Sequence, residues 1–334
     1  MTLVARNEAD IVDAHIAFHL NAGVDFVVAM DNGSEDGTTE ILESYARDGY
    51  VHLTRDDGDL RQKEWVTELA RRAATDFGAD WVINSDADEF WWPRGGSLKD
   101  VFALVPARFG SVRGMWRHFP PRPHGDDFFA ERMTVRVLNP GANDNSPYSP
   151  RFKTAHRADP EVTVLSGNHR AIGRNLLPLS GWYPIDVLHF PFRSLEQFSE
   201  KLLRRWALDP SRFRRSAHEA DRSGRMREFY ESYLVDDEAL ARGVAEGTLA
   251  VDTRLRYALR LIRAEPGRSL TFTEGVVDEG YLSELGMLAA GDPHVLAQHK
   301  AEDLEARLAA LEQRHSARIV KAMSGRAQRG AEDS

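Results

Sequence analysis

Four short apolar runs, TLVA (2–5), DFVVAM (25–30), YVHLT (50–54) and DWVINS (80–85), punctuate the first hundred residues at near-even spacing. Each is followed by a polar turn, and amphipathic stretches fill the gaps. Val12, Ile16 and Leu20 recur every four residues between the first two runs, and Gly23 stands where a helix ends on glycine. RQKEWVTELARRAATDF (61–77) reads as a further helix. Apolar runs alternating with helices in this way are βαβ units, which build a mixed, mostly parallel α/β sheet flanked by helices. Such sheets carry ligands at the carboxyl ends of their strands, so the turns after these runs are where chemistry is expected.

From about 110 to 190 the candidate strands shorten, as in GSVRGMWRHF, ERMTVRVL and PIDVLHF, with Pro, Gly and Asn in the turns. This reads as an antiparallel extension. PPRPHGDD (120–127) and NPGANDNSP (139–147) are long loops of the kind that bind ligands. After Ser194 the chain turns helical and rich in arginine. Its tail spaces Leu304, Leu308 and Leu311 as a helix does, before Arg318, Lys321, Arg326 and Arg329. A packed or self-associating helix is expected there, with a membrane-surface helix as the alternative.

Composition narrows the chemistry. A formal net charge of −9 over 334 residues argues against sequence-independent nucleic-acid binding, which needs a basic face to neutralise phosphates. Without cysteine there is no disulfide, thiolate metal site or cysteine nucleophile. Any metal must sit on Asp, Glu, His or backbone oxygen. Periodic structure begins almost at Met1, and no apolar run approaches the roughly 20 residues of a membrane span. A cytoplasmic protein is expected, with peripheral contact at the inner face of the membrane as an option.

VINSDADEFWWPRGG (82–96) sets Asp86, Asp88 and Glu89 between an apolar run and two tryptophans. In an extended chain Asp86 and Asp88 point the same way and Ala87 points back. Two converging carboxylates raise each other's pKa, and a divalent cation is the simplest partner that keeps both ionised. A solvated turn capping a helix is the competing reading. DNGSEDGT (31–38) follows the second run. Read as a calcium loop it begins on Asn rather than Asp, follows a strand rather than a helix, and lacks a second such loop. A strand-to-helix turn fits better: Asp31 ends the strand, Gly33 and Gly37 allow tight backbone, and Ser34 or Asp36 caps the next helix. Asp31 could then accept hydrogen bonds from a nucleotide's base or ribose.

The order and spacing of these two motifs, in LVARNEADIVDAHIAFHLNAGVDFVVAMDNGSEDGTTEIL and then ADWVINSDADEFW, resemble the family 2 type of glycosyltransferases. The likeness is to a short bacterial subgroup that also resembles family 92. It covers residues 2 to 92 strongly and extends more weakly to about 205. It implies a GT-A fold, a Rossmann-like sheet that binds a nucleotide sugar. The expected organisation is a GT-A domain over 1–205, with a nucleotide-binding half at 1–95 and an acceptor half at 96–205. A helical extension (206–295) and a C-terminal amphipathic helix with a basic tail (296–334) follow.

The resemblance also implies roles. Ala5 and Arg6 lie by the base, Asp31 meets base or ribose, and Gln62 or its neighbour Arg61 lies near the nucleotide. Asp86 faces ribose and metal, Asp88 ligates the metal, and IDVLHF supplies His189 as a further ligand. The metal is Mn2+ or Mg2+. Lys153, and Arg193, Ser194 and Lys201 in HFPFRSLEQFSEK, lie where the family carries positive charge. Ser194 and Gln197 make a capping box that presents a helix N-terminus. Trp91, Trp92 and Trp182 either stack on a sugar or pack. Arg204 and Arg205 read as a solvated helix face.

The implied activity moves a sugar from a nucleotide sugar, a UDP-sugar, to a hydroxyl acceptor such as a growing glycan, with inversion. That is a polysaccharide-biosynthesis chemistry. Candidates for the base are Asp186, Glu89, His169 and Asp127, although an extended strand turns Asp186 away from His189. Two alternatives belong to other classes. A nucleotidyltransferase would carry a Gly-rich basic loop after the first strand, and ARNEAD has no glycine. A non-catalytic carbohydrate-binding or scaffold protein would have no need of an intact Asp86, Asp88 and His189.

Overall fold

A computed structural model describes residues 1–59, 61–123, 127–138, 148, 151–179, 182–208 and 220–264. The tail from 297, the loop 139–147, and the side chains of Arg204 and Arg205 lie outside the described residues. The chain forms two compact units, 1–179 with 183–276, and 180–182 with 277–334. Of the second, only Trp182 is among the described residues.

The four apolar runs become β1 (Thr2–Ala5), β2 (Val27–Asp31), β3 (Val51–Arg55) and β4 (Trp81–Ser85), separated by α1 (Val12–Asn21), α2 (Thr38–Arg47) and α3 (Gln62–Thr75). After β4 come β5 (Glu89–Pro93), α4 (Leu98–Ala103), β6 (Ser111–His118), α5 (Phe129–Arg132), β7 (Val135–Val137) and β8 (Phe152–Arg157). Next are β9 (Thr163–Val164), β10 (Ala171–Ile172), β11 (Ile185–His189) and α6 (Leu195–Leu208). The described chain ends with α7 (Ala220–Glu231), α8 (Asp237–Ala245), β12 (Leu249–Val251) and α9 (Arg254–Ala264). ERMTVRVL is therefore only partly strand, because Glu131 and Arg132 close the single helical turn of α5.

Eight strands pair in the order β3-β2-β1-β4-β8-β6-β11-β5. β3, β2, β1 and β4 are parallel, as βαβ connections require, and β6 and β11 are parallel to each other. β8 and β5 run the other way. This is a mixed, mostly parallel sheet flanked by helices. One core lies under α1, α2, α4 and α9, with Leu3, Ile16, Phe18, Leu42 and Ile83. A second lies under α3, with Val28, Met30, Trp65, Leu69 and Val82. The two cores are the two faces of the sheet, which explains why β2 is buried at every residue.

β12 pairs antiparallel with β7, and α9 packs on α1, so residues 249–264 belong to the first unit together with the sheet. No helix of the described residues is long and apolar enough to cross a membrane.

Candidate active site

Strand direction gathers the candidate residues at one edge. β1, β2, β4, β6 and β11 end there, at Ala5, Asp31, Ser85, His118 and His189. The antiparallel β5 and β8 begin there, with Glu89 and Lys153. The edge thus brings in carboxylates from the β4–β5 turn and basic groups from β8, β6 and β11.

The turn differs from the extended chain expected of it. The Asp86 carbonyl accepts the Glu89 N–H at 3.1 Å, and the Asp88 carbonyl accepts the Phe190 N–H at 2.9 Å, so residues 86–89 fold back from β4 into β5. The alternation of side chains therefore stops at Ser85. Asp86 is held by the Lys153 ammonium at 2.7 Å and by the amides of Gln62 at 3.1 Å and Asn168 at 3.2 Å. Glu89 instead turns inward beside Asp88. Its Oε1 accepts from Lys153 Nζ at 2.7 Å and Trp116 Nε1 at 3.0 Å.

Register then builds a row. Glu89 on β5 pairs with His189 on β11, which pairs with His118 on β6. Asp88 closes the row, with its Oδ2 2.5 Å from Lys201 Nζ and 3.8 Å from His189 Nε2. Ligand atoms of Asp88, Glu89 and His189 all lie within 4.8 Å of one another. Two carboxylates and an imidazole suit a Mn2+-like ion, so these residues fit the metal that the sequence implies. Glu89 takes the place in this cluster that Asp86 was expected to fill, because Asp86 is drawn away by Lys153, Gln62 and Asn168.

Burial sets the charges. It raises the Asp88 carboxyl, but Lys201, His189 and Arg193 more than offset that and hold it below the usual carboxylate range. Burial pushes Glu89 up to about 8 against the pull of Lys153. Burial opposes the Lys153 charge too, yet Asp86 and Glu89 together raise its pKa. His189 is lowered by burial, which outweighs the attraction of Asp88. For Glu89 the shift also makes stability depend on pH. The folded chain holds this proton above the unfolded pKa of 4.5, so its contribution to stability is present below 4.5 and is lost as pH rises through about 8. Wild type should therefore lose stability relative to Glu89→Gln between about pH 5 and 8.5. Denaturant midpoints of the two proteins across that range check this, and a gap that does not move with pH would contradict it.

Other expected residues are placed differently. Asp186 lies on β11 with the opposite parity to His189, on the sheet face covered by α1 and α9. Its Oδ1 accepts from Arg94 at 2.7 Å and Arg117 at 2.9 Å, and its Oδ2 from Arg254 at 3.1 Å. Burial would raise this carboxyl, but the three guanidinium groups hold it well below its ordinary value. An acid fixed as a triple ion pair on the far face holds strands and α9 together and cannot serve as a base at His189. Arg193 is likewise committed: buried, it grips both Asp10 oxygens at 2.6 and 2.8 Å and also pairs with Glu8. It locks the loop after β1 to the start of α6 and is not free for a diphosphate.

Asp31 is fully buried, and both oxygens serve its own turn. Oδ1 accepts from the Ser34 hydroxyl at 2.5 Å and Oδ2 from Thr39 at 2.7 Å. Gly37, not Ser34 or Asp36, caps α2, at φ 100°, which favours glycine, while Asp36 just before it accepts from the Thr38 N–H at 3.0 Å. Ala5 offers its carbonyl to the Asn32 N–H at 2.9 Å, and Arg6 reaches Asn32 Oδ1 at 3.4 Å. Arg61 pairs with Asp56 at 2.9 Å over the Trp65 ring. Ser194 accepts from the Gln197 N–H at 3.1 Å, while Gln197 accepts from Arg193 rather than from Ser194. Trp91 is core, and Trp92 stacks on Phe18 beneath Arg254, so neither offers a free sugar platform.

Sequence reasoning missed Trp116, His118 and Asn168. RGMWRH places Trp116 and His118 on one face of a strand, but only the pairing of β6 with β11 brings that face to His189. Asn168 carries φ 59° in a short turn and had no signal beyond its polarity.

No protein-family model matches the chain, and no curated protein does. Among solved structures, S. aureus TarS 1-349 is similar over 66% of this chain and 67% of that one, at 14% identity and a TM-score of 0.30. Its complex with UDP-GlcNAc matches over 66% and 68%, at 14% identity and a TM-score of 0.32. Its complex with UDP matches over 80% and 92%, at 13% identity and a TM-score of 0.30. Likenesses of that size establish neither family nor activity for this chain.

Proposed function

We propose that the chain is a metal-dependent glycosyltransferase of the GT-A type, moving a sugar from a UDP-sugar to a hydroxyl acceptor with inversion. The observation that carries the reading is the buried Asp88, Glu89 and His189 cluster flanked by Lys153 and Lys201 at the carboxyl edge of the parallel strands. Departure of a nucleoside diphosphate builds negative charge, and the Lys201 ammonium, held on Asp88 at the open side of the cluster, is placed to meet it. Asp88, Glu89 and His189 would hold Mn2+ or Mg2+. When bound, such an ion supplies Lewis-acid stabilisation of the departing diphosphate.

The chain's own residues do the rest. Lys201 is partly exposed and projects from α6, so it can turn from Asp88 to a phosphate, whereas buried Lys153 keeps Asp86 and Glu89 in place. The base falls to His169. Its Nδ1 is spent on the Phe152 carbonyl at 2.8 Å, which leaves Nε2 as the accepting nitrogen of a half-buried ring beside Trp116. Burial, with Lys153, lowers its pKa and keeps it neutral, ready to take a proton. Glu89 is too enclosed to reach an acceptor hydroxyl.

A screen of nucleotide sugars for Mn2+-dependent transfer or hydrolysis tests the reading, and the absence of metal-dependent turnover with every donor would overturn it. With the active donor, His169→Gln should lower kcat about 10²–10⁴-fold. Nucleotide affinity should hold, and wild-type kcat in that variant would remove His169 from the mechanism.

A further inference from the structure

The row across β5, β11 and β6 contains one residue that neither carries a carboxylate nor belongs to the candidate donor set. His118 is buried, and its Nδ1 lies 3.1 Å from His189 Nδ1. Two imidazole nitrogens at that distance form a hydrogen bond only if one carries the proton and the other offers a lone pair. Two arrangements follow. If His118 donated, a neutral His189 would carry its own proton on Nε2. That proton would point at Asp88 Oδ2 across 3.8 Å, too long for a hydrogen bond, and would cover the lone pair facing the carboxylates. If His189 donates, Nε2 presents its lone pair to the space shared with Asp88 and Glu89. Protonating both nitrogens would set a third positive charge beside Lys153 and Lys201, inside the same buried cluster.

Packing fixes the planes that make the choice matter. Trp116 lies flat on His189, with ring centres 4.3 Å apart and planes at 11°, and meets His118 at 5.1 Å and 72°. The stack holds the His189 ring in its plane, and the hydrogen bond between the two Nδ1 atoms sets which edge faces His118. We infer that His118 is a positioning residue: it accepts the proton of His189 Nδ1 and so holds His189 in the tautomer whose Nε2 faces Asp88. This rests on the proposed cation site. A metal-ligating histidine is usually oriented through its second nitrogen, and losing that partner weakens metal binding.

The test uses the full chain and Mn2+ alone. His118→Asn keeps an accepting oxygen where Nδ1 stands, whereas His118→Phe keeps the ring packing and removes the acceptor. Nitrogen-15 NMR of labelled histidines, without metal, should find the His189 proton on Nδ1 in wild type and in His118→Asn, and shared between the two nitrogens in His118→Phe. Mn2+ affinity by calorimetry should fall about 10- to 100-fold in His118→Phe and stay within about threefold of wild type in His118→Asn. A wild-type His189 protonated on Nε2, or unchanged affinity in a folded His118→Phe, would overturn the inference. If wild type bound no Mn2+, the cation site itself would fail, while the NMR readout would still decide what His118 does to His189.

Discussion

Replacing Asp88 by asparagine is expected to cost at least about 10³-fold in turnover, or ~4 kcal/mol of transition-state stabilisation, while the chain stays folded. The reason lies in what the carboxylate touches. Asp88 is buried at the β4–β5 turn, faces His189, and holds Lys201 at 2.5 Å. Asparagine keeps the shape and one accepting oxygen but removes the charge that a cation requires. Some stability should be lost too, because Lys201, His189 and Arg193 favour the ionised carboxylate, but the Lys201 side chain is 43% exposed and can return to water. Rates with the active donor, together with melting curves, check both halves of this result. Turnover within about tenfold of wild type would take Asp88 out of the mechanism.

Lys153→Met should damage the fold as well as the activity. The Lys153 side chain is 1% exposed, bridges Asp86 and Glu89, and sits 5.1 Å over the Trp116 ring. Methionine fills much of the same volume but leaves the enclosed Glu89 and the half-buried Asp86 without their shared cation. Breaking a buried pair by removing one partner costs about 3–5 kcal/mol, most of it the penalty of the charge left behind. Glu89 escapes part of that penalty by keeping its proton to higher pH once the pull of Lys153 is gone. The double variant Lys153→Met with Glu89→Gln should accordingly recover part of the loss. Denaturant unfolding of wild type, both singles and the double reads the coupling directly. Additive effects of the two changes would mean that the lysine and the glutamate do not act as a pair.

Much of the fold was legible because its first half is local. Each of the four apolar runs became a strand in the expected order, and the helix expected over 61–77 is α3, from Gln62 to Thr75. Gly23, Gly33 and Gly37 all adopt the positive φ that the turn readings required. The site was legible only in part. Asp88 and His189 could be picked from the motif and the resemblance, but their neighbours depend on pairings between distant segments. The pairing of β11 with both β5 and β6 puts Glu89 and His118 on either side of His189, and no local pattern in IDVLHF encodes that. Three further expected residues share one feature. Asp31, Arg193 and Asp186 are charged, and each is engaged by structural partners. Asp31 closes a turn, Arg193 clamps a loop, and Asp186 joins three arginines. A sequence marks where charge stands along the chain, but not which charges the fold has already neutralised.

If Asp88, Glu89 and His189 form a cation-dependent nucleotide site, nucleotide affinity must follow the metal. Calorimetric titration of the wild-type chain with UDP, GDP, CDP and TDP, each with and without Mn2+, reads that dependence without needing the acceptor. UDP is expected to bind in the presence of Mn2+, and chelation of the metal is expected to abolish the binding. Binding of no nucleotide, or equal affinity with and without the metal, would contradict the proposed site.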